Sequence, residues 1–224
     1  MGGGAIGSAL VPLLRQRAPS LQVHLAGRRQ PDWPLDLCDD TSLSLFAERA
    51  RVALNPLRLV ICTAGILHGE NLAPEKRLAQ VSRQALERSF ALNAYGPLLL
   101  AKAVEAAIPR ELPAHFASLS ARVGSIGDNR LGGWYSYRAA KAAQNQLLKT
   151  LSLEWRRRLP QVCVTLLHPG TTASALSEPF RTSVAPEQLF SPERAATQLL
   201  DVLEPREASD SGAFLAWDGS LVPW

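Results

Sequence analysis

The chain has no long hydrophobic run. Nothing in it approaches the ~20 consecutive apolar residues that span a bilayer, and the amino terminus lacks the basic-then-apolar pattern of a signal peptide. No membrane partner is expected. Cysteine is scarce: Cys38, Cys62 and Cys163 are the three present, with neither the paired spacing of metal ligands nor a disulfide framework. Cys62 and Cys163 sit in apolar runs that read as strands, so buried, reduced thiols are expected, and with them a cytoplasmic location. The four histidines, His24, His68, His115 and His168, are dispersed and form no HExxH-like cluster, so no metal site is expected. Basic charge is not concentrated either. The net charge of +4 comes from scattered arginines, and the densest run, "EWRRRL", reads as a solvated helix face rather than a nucleic-acid patch.

What is present suits one sizeable soluble domain over 1–224: 224 residues, 46% hydrophobic and 20% charged. Short apolar runs alternate with longer helical patterns. Strands are expected at 21–27 ("LQVHLAG"), 57–65 ("LRLVICTAG"), 115–121 ("HFASLSA"), 161–170 ("QVCVTLLHPG") and 212–217 ("GAFLAW"). Several are apolar on both faces, and each gap has room for a helix. That pattern predicts an α/β fold with a parallel sheet covered by helices on both faces. "DTSLSLFAERA" opens on capping residues. Ser191, Pro192 and Glu193 mark the start of another helix. The long run "YSYRAAKAAQNQLLKTLSLEWRRRL" ends at Pro160. Pro12 falls within the first expected helix, where it removes a hydrogen bond and predicts a kink. Residues 173–190 hold two prolines and read as an irregular loop or lid.

The strongest chemical signal is "YSYRAAK". Tyr137 and Lys141 are four apart and so share one helix face. An ammonium beside a phenol favours the phenolate, giving a group able to exchange a proton with a substrate oxygen near neutral pH. Tyr135 has alanine at the matching position and cannot take the part.

With this motif the chain resembles the short-chain dehydrogenases/reductases, and within them the small bacterial C-factor-like members. "MGGGAIG" matches part of the family's glycine turn, "LDLCD" its adenine-contacting segment and "CTAG" its NNAG motif. "FALNAYGP" carries the family asparagine, "SARVGSI" falls where the serine motif belongs, "YSYRAAK" is the YxxxK, and "HPGTT" is the PG motif. The resemblance implies a Rossmann-type doubly wound sheet and hydride transfer between a nicotinamide and a small carbonyl or alcohol. It implies Tyr137 as acid/base, Lys141 on the nicotinamide ribose, and Asn93 anchoring a proton-carrying water chain. Gly3, Gly4, Ile6 and Gly7 would face the pyrophosphate, and Asp36 and Leu37 the adenine. Thr63, Ala64, Gly65, Pro169 and Gly170 would complete the cofactor wall, with Thr171, Thr172 and Ser174 at the carboxamide. It also implies a homodimer or tetramer built on the helices bearing Asn93 and Tyr137. Substrate is expected beneath 173–190, near Trp134, Leu131 and His68.

Charge decides the cofactor form. Where an NAD enzyme places an acid at the end of the second strand, this chain has Gly27 followed by Arg28 and Arg29, which suit a 2′-phosphate. NADP(H) is therefore expected.

Two departures stand out. The family's catalytic serine position holds Ala121, which leaves Ser120, Ser125 or no serine, with Ser120 favoured. The other is at the start: the central strand that normally precedes the glycine loop is lacking. Either residues upstream of Met1 are missing or the sheet closes differently, and the first is expected. These departures keep a second reading in view, a dinucleotide-binding regulatory or signalling protein with weak or lost catalysis.

Overall fold

The computed structural model describes residues 4–224. Its core is a parallel sheet of four strands in the order β1 (Leu59–Cys62), β2 (Ala114–Leu119), β3 (Val162–His168), β6 (Ala213–Ala216). Every pairing is parallel, with Leu59 opposite His115, Ala114 opposite Val162 and Thr165 opposite Ala213. Parallel strands need crossovers, and the helices that make them cover both faces. On one face α2 (Asp40–Ala53), α4 (Gly96–Val104) and α5 (Tyr135–Arg158) bury Phe46, Leu100, Leu148 and Trp155 against Phe116 and Val164. On the other, α1 (Ala5–Arg17) and α6 (Pro192–Leu203) meet through Leu10, Ala196 and Leu200. The remaining helix, α3 (Arg83–Phe90), runs into α4 through one π turn over Ala91–Tyr95. Cys62 and Cys163 are buried free thiols, as their runs predict.

Local signals explain most boundaries. Asp39 caps α2 by accepting from the amides of Thr41 (3.1 Å) and Ser42 (3.3 Å). Ser191 caps α6 by accepting from the Arg194 amide at 3.1 Å, with Pro192 in the first turn. Pro12 does not end α1, which continues to Arg17. Residues 173–190, expected to be irregular, instead wind through two 3-10 helices, Glu178–Ser183 and Pro186–Gln188, and two short strands not expected from sequence, β4 (Thr171–Thr172) and β5 (Leu189–Phe190), pin the segment at both ends.

One expected strand does not form. Residues 22–26 run without ladder hydrogen bonds among the described residues, and Gly27 makes only an isolated bridge to Pro34. The physical reason lies beside it. Between this stretch and β1 is a slot of about 630 Å³, floored by Leu10, Val11 and Leu14 of α1 and roofed by Trp33, Phe46, Leu100 and Val104. A strand is stabilised by a partner on its edge, and here no described residue takes the partner position. Among the described residues the sheet therefore lacks the central strand, and β1 is its edge.

Candidate active site

The carboxyl ends of β1, β2 and β3 open into a cavity of about 350 Å³, where ligands enter open parallel sheets. The amino end of α1 reaches it from one side through Gly4, Ile6 and Gly7. No side chain caps that helix end, and its first turn carries no acid, so its leading amides suit an anion. After β1 come Thr63, Ala64 and Gly65. A Cβ on Gly65 would stand 3.4 Å from Asn93 Oδ1 and 4.0 Å from Lys141 Nζ, so this wall is held close without a side chain. After β3, Pro169, Gly170, Thr171, Thr172 and Ser174 line the far wall. Gly170 has φ +71°, and a Cβ there would meet the Phe190 ring at 2.5 Å, so glycine is required at this turn. Phe190 and Trp217 stack edge-on at 4.9 Å behind it.

Tyr137 and Lys141 project from α5 into the same cavity. Both are buried, and the lysine nitrogen lies 5.8 Å from the centre of the tyrosine ring. Burial pushes the Tyr137 phenol above its ordinary value and draws the Lys141 ammonium down to about 8, the nearby Cys62 opposing the latter. The sequence-based expectation of an acidified phenol is thus not met in this arrangement. Burial outweighs the lysine, whose charge is already compensated by hydrogen bonds to the Leu119 carbonyl (2.8 Å) and the Gln144 side-chain oxygen (2.9 Å).

The entry to α5 is built with care. Gly132, Gly133 and Trp134 all adopt positive φ, and Trp134 does so without glycine's freedom. It is held by Glu75, whose backbone carbonyl accepts from the Trp134 amide and whose buried carboxylate accepts from the Ser136 amide (3.2 Å) and hydroxyl. That carboxylate serves as the helix cap from a distant loop. Trp134 is thereby placed 6.3 Å from Tyr137 and 5.1 Å from Phe180, ring centre to ring centre.

Ser120 also lines the cavity, and its hydroxyl donates to Asn145 Oδ1 at 2.6 Å across the β2–α5 packing. Other expected site residues fall elsewhere. The Ser125 hydroxyl accepts from the Asp128 amide at 3.0 Å, and Ser125 is not on the cavity. Ala121 lines the wall next to Ser120. Asn93 is fully buried and behind the wall: it accepts from the Ile66 amide (2.9 Å) and donates to the Ile66 carbonyl (2.8 Å) and Ser89 hydroxyl (3.1 Å). Its side chain therefore fixes the loop after β1. Arg28 and Arg29 are exposed in the turn after Gly27, and Asp36 is half-buried, outside the cavity. Leu37 is a core residue in contact with Gly96. Gly3 lies outside the described residues. Leu131 is 92% exposed and off the cavity, while His68 Nε2 pairs with the Ala175 carbonyl (2.7 Å), tying down the lid.

Sequence reasoning missed Phe180, Leu67, Val123, Leu176 and His168 on the cavity wall. Phe180 could have been found as the aromatic within the irregular 173–190 segment. Glu75 had no local signal, because its partner is distant in sequence.

The chain matches the family model described as short chain dehydrogenase over residues 13–185. It is 34% identical over 192 residues to 1-hydroxy-2-glutathionyl-2-methyl-3-butene dehydrogenase of Rhodococcus sp. (strain AD45), covering 85% of this chain and 78% of that protein. It is 33% identical over 148 residues to the C-signal protein of Myxococcus xanthus, covering 66% of this chain and 83% of that protein. Among solved structures, NADPH-bound carbonyl reductase from chicken fatty liver superposes with a TM-score of 0.80 at 23% identity, covering 99% of this chain and 95% of that one. Carbonyl reductase Sniffer of D. melanogaster gives a TM-score of 0.81 at 21% identity, covering 99% and 96%.

Proposed function

The chain belongs to the short-chain dehydrogenase family, and from that premise we propose that it is an NADP(H)-dependent oxidoreductase of a small carbonyl compound or its alcohol. The observation that carries this reading is the convergence of Tyr137, Lys141, the uncapped end of α1 and the 169–172 turn on one cavity. The bound nicotinamide supplies or accepts the hydride. Gly4, Ile6 and Gly7 would hold the pyrophosphate on the α1 amides. Lys141 would hold the nicotinamide ribose, and Thr171, Thr172 and Ser174 the carboxamide. Arg28 and Arg29, exposed and without ion pairs among the described residues, would receive a 2′-phosphate.

Tyr137 gives its proton to the carbonyl oxygen as that oxygen becomes an alkoxide. A phenol kept protonated by burial holds the proton that the reductive direction consumes. Ala121 offers no hydroxyl to the carbonyl and the Ser120 hydroxyl is given to Asn145, so Tyr137 carries oxyanion stabilisation alone. Trp134, packed against Tyr137, and Phe180, packed against Trp134, line the cavity and favour an apolar or aromatic substrate.

NADPH oxidation with a panel of aldehydes, ketones and quinones tests the reading, with Tyr137→Phe as control. Turnover that survives this substitution would overturn the mechanism. The second reading, a dinucleotide-binding regulatory or signalling protein, is favoured by Ala121 at the serine position and by the engagement of the Ser120 and Ser125 hydroxyls in hydrogen bonds within the fold. Tight NADPH binding with no turnover on the whole panel would support it. A cytoplasmic location and a homo-oligomer through α4 and α5 complete the proposal. Exposed Tyr95 and Leu153 near these helices, and the reduced cysteines, are consistent with it. No helix among the described residues is long and apolar enough to cross a membrane.

A further inference from the structure

A glutamine with no exposed surface sits one helical turn beyond Lys141, among apolar residues of the β2–α5 interface. Gln144 is fully engaged there. Its Nε2 donates to the Ser118 hydroxyl (2.8 Å) and to the Leu119 carbonyl (3.2 Å), and its Oε1 accepts from Lys141 Nζ (2.9 Å). These partners fix the amide's orientation, since the reverse would set its NH2 against an ammonium and its oxygen against a carbonyl. No carboxylate of the described residues pairs with Lys141. Two neutral oxygens, from Leu119 and Gln144, therefore accept from its buried charge.

We propose that Gln144 is a positioning residue, which holds the Lys141 ammonium charged and in place and thereby sets the upper pH limit of proton transfer by Tyr137. The proposal rests on the Tyr137/Lys141 reading above for its link to catalysis, but not for the contact itself. A leucine or methionine would fill the same space without needing three polar partners, so packing alone does not call for an amide. An oxygen accepting from the ammonium favours the charged lysine against the burial that opposes it. The other ionisable groups that face this nitrogen are Tyr137 on its own helix and Cys62 at the end of β1. His168 after β3 and Arg122 after β2 line the same cavity. None of them hydrogen-bonds the Lys141 nitrogen, whose acceptors are the Leu119 and Gln144 oxygens.

The test is Gln144→Met, which keeps the bulk and removes the acceptor. The primary readout is the NMR titration of the Lys141 side chain in the ligand-free protein. Its midpoint should fall by about one pH unit, the size expected for one hydrogen bond to a charged group. The alkaline limb of kcat/KM for carbonyl reduction should move down by the same amount. A folded variant whose lysine midpoint and alkaline limb both stay in place overturns the proposal. So does a uniform loss of rate with an unmoved limb, which is what a purely structural role would give. If Gln144→Met does not fold, Ser118→Ala removes the donor that orients Gln144 and should shift the midpoint in the same direction by less. An unmoved midpoint there overturns the proposal equally. A shifted midpoint alongside turnover that survives Tyr137→Phe would overturn the functional reading while leaving Gln144 as the partner of Lys141.

Discussion

The Ser120 hydroxyl and the Asn145 side-chain oxygen are 2.6 Å apart, one hydrogen bond inside the packing of β2 on α5. The Ser120 hydroxyl thus has a structural partner, although the residue lines the cavity. Ser120→Ala should lower stability by about 1–2 kcal/mol, because Asn145 Oδ1 is left buried without its donor, and should change kcat less than about threefold. Ala121→Ser, which puts a hydroxyl on the cavity wall, should raise kcat by about tenfold or more. Urea unfolding and steady-state NADPH oxidation measure the two effects. A Ser120→Ala enzyme that keeps its stability and loses turnover would return Ser120 to the catalytic set.

Arg28 and Arg29 should decide the cofactor. Replacing both with alanine should weaken NADPH about tenfold or more, the worth of charge-assisted contacts to a 2′-phosphate, and leave NADH unchanged. Fluorescence titration of each cofactor gives both constants. Tighter binding of NADH than NADPH by the unaltered chain would refute the assignment.

His168 makes the fold sensitive to acid. Burial, aided by Arg122 and opposed by Asp218, draws its imidazole from 6.5 to about 4, and its Nδ1 is buried without a partner. The unfolded chain takes up this proton below pH 6.5, whereas the folded chain resists until about pH 4. Stability from this group is therefore complete above 6.5 and falls by up to about 3 kcal/mol on descending to 4. His168→Gln should lose less stability than the original chain between pH 7 and pH 4.5 in urea unfolding.

The slot beside β1 should accept a strand. Fusing an apolar strand of six to eight residues ahead of Met1 should raise the unfolding midpoint on the order of 10 °C, through new ladder bonds on two edges and burial of the slot's apolar walls. Gly7 and Thr63 line both the slot and the active-site cavity, so NADPH affinity should rise with stability. A proline-interrupted control should do neither. An apolar fusion with an unchanged midpoint would mean that the slot is not a strand site.

How much could be read from sequence depends on how local the cause was. The strands around Val60, Phe116, Val164 and Phe214 announced themselves because double-sided burial demands continuous apolar runs. Asp39, Ser191 and Pro192 act on amides within three residues, and the Tyr137/Lys141 spacing is a property of one helix. The 21–27 stretch shows the same kind of pattern and still forms no ladder, since pairing depends on a neighbour rather than on its own residues. The direction of the Ser120 hydroxyl was hidden for a similar reason: it is set by Asn145, 25 positions away. Glu75, which caps α5 from across the site, and Gln144, whose meaning lies in Lys141 and Ser118, became visible only once the chain was folded.

The open slot has one more consequence. The edge of β1 away from β2, and the 22–26 stretch, present rows of backbone amides and carbonyls with no ladder among the described residues. Such rows are templates for another chain's strand. Loss of the active form on storage should accordingly follow second-order kinetics in protein, accelerating with concentration at a temperature well below unfolding. Shelf life would then be governed by crowding at a sheet edge rather than by heat.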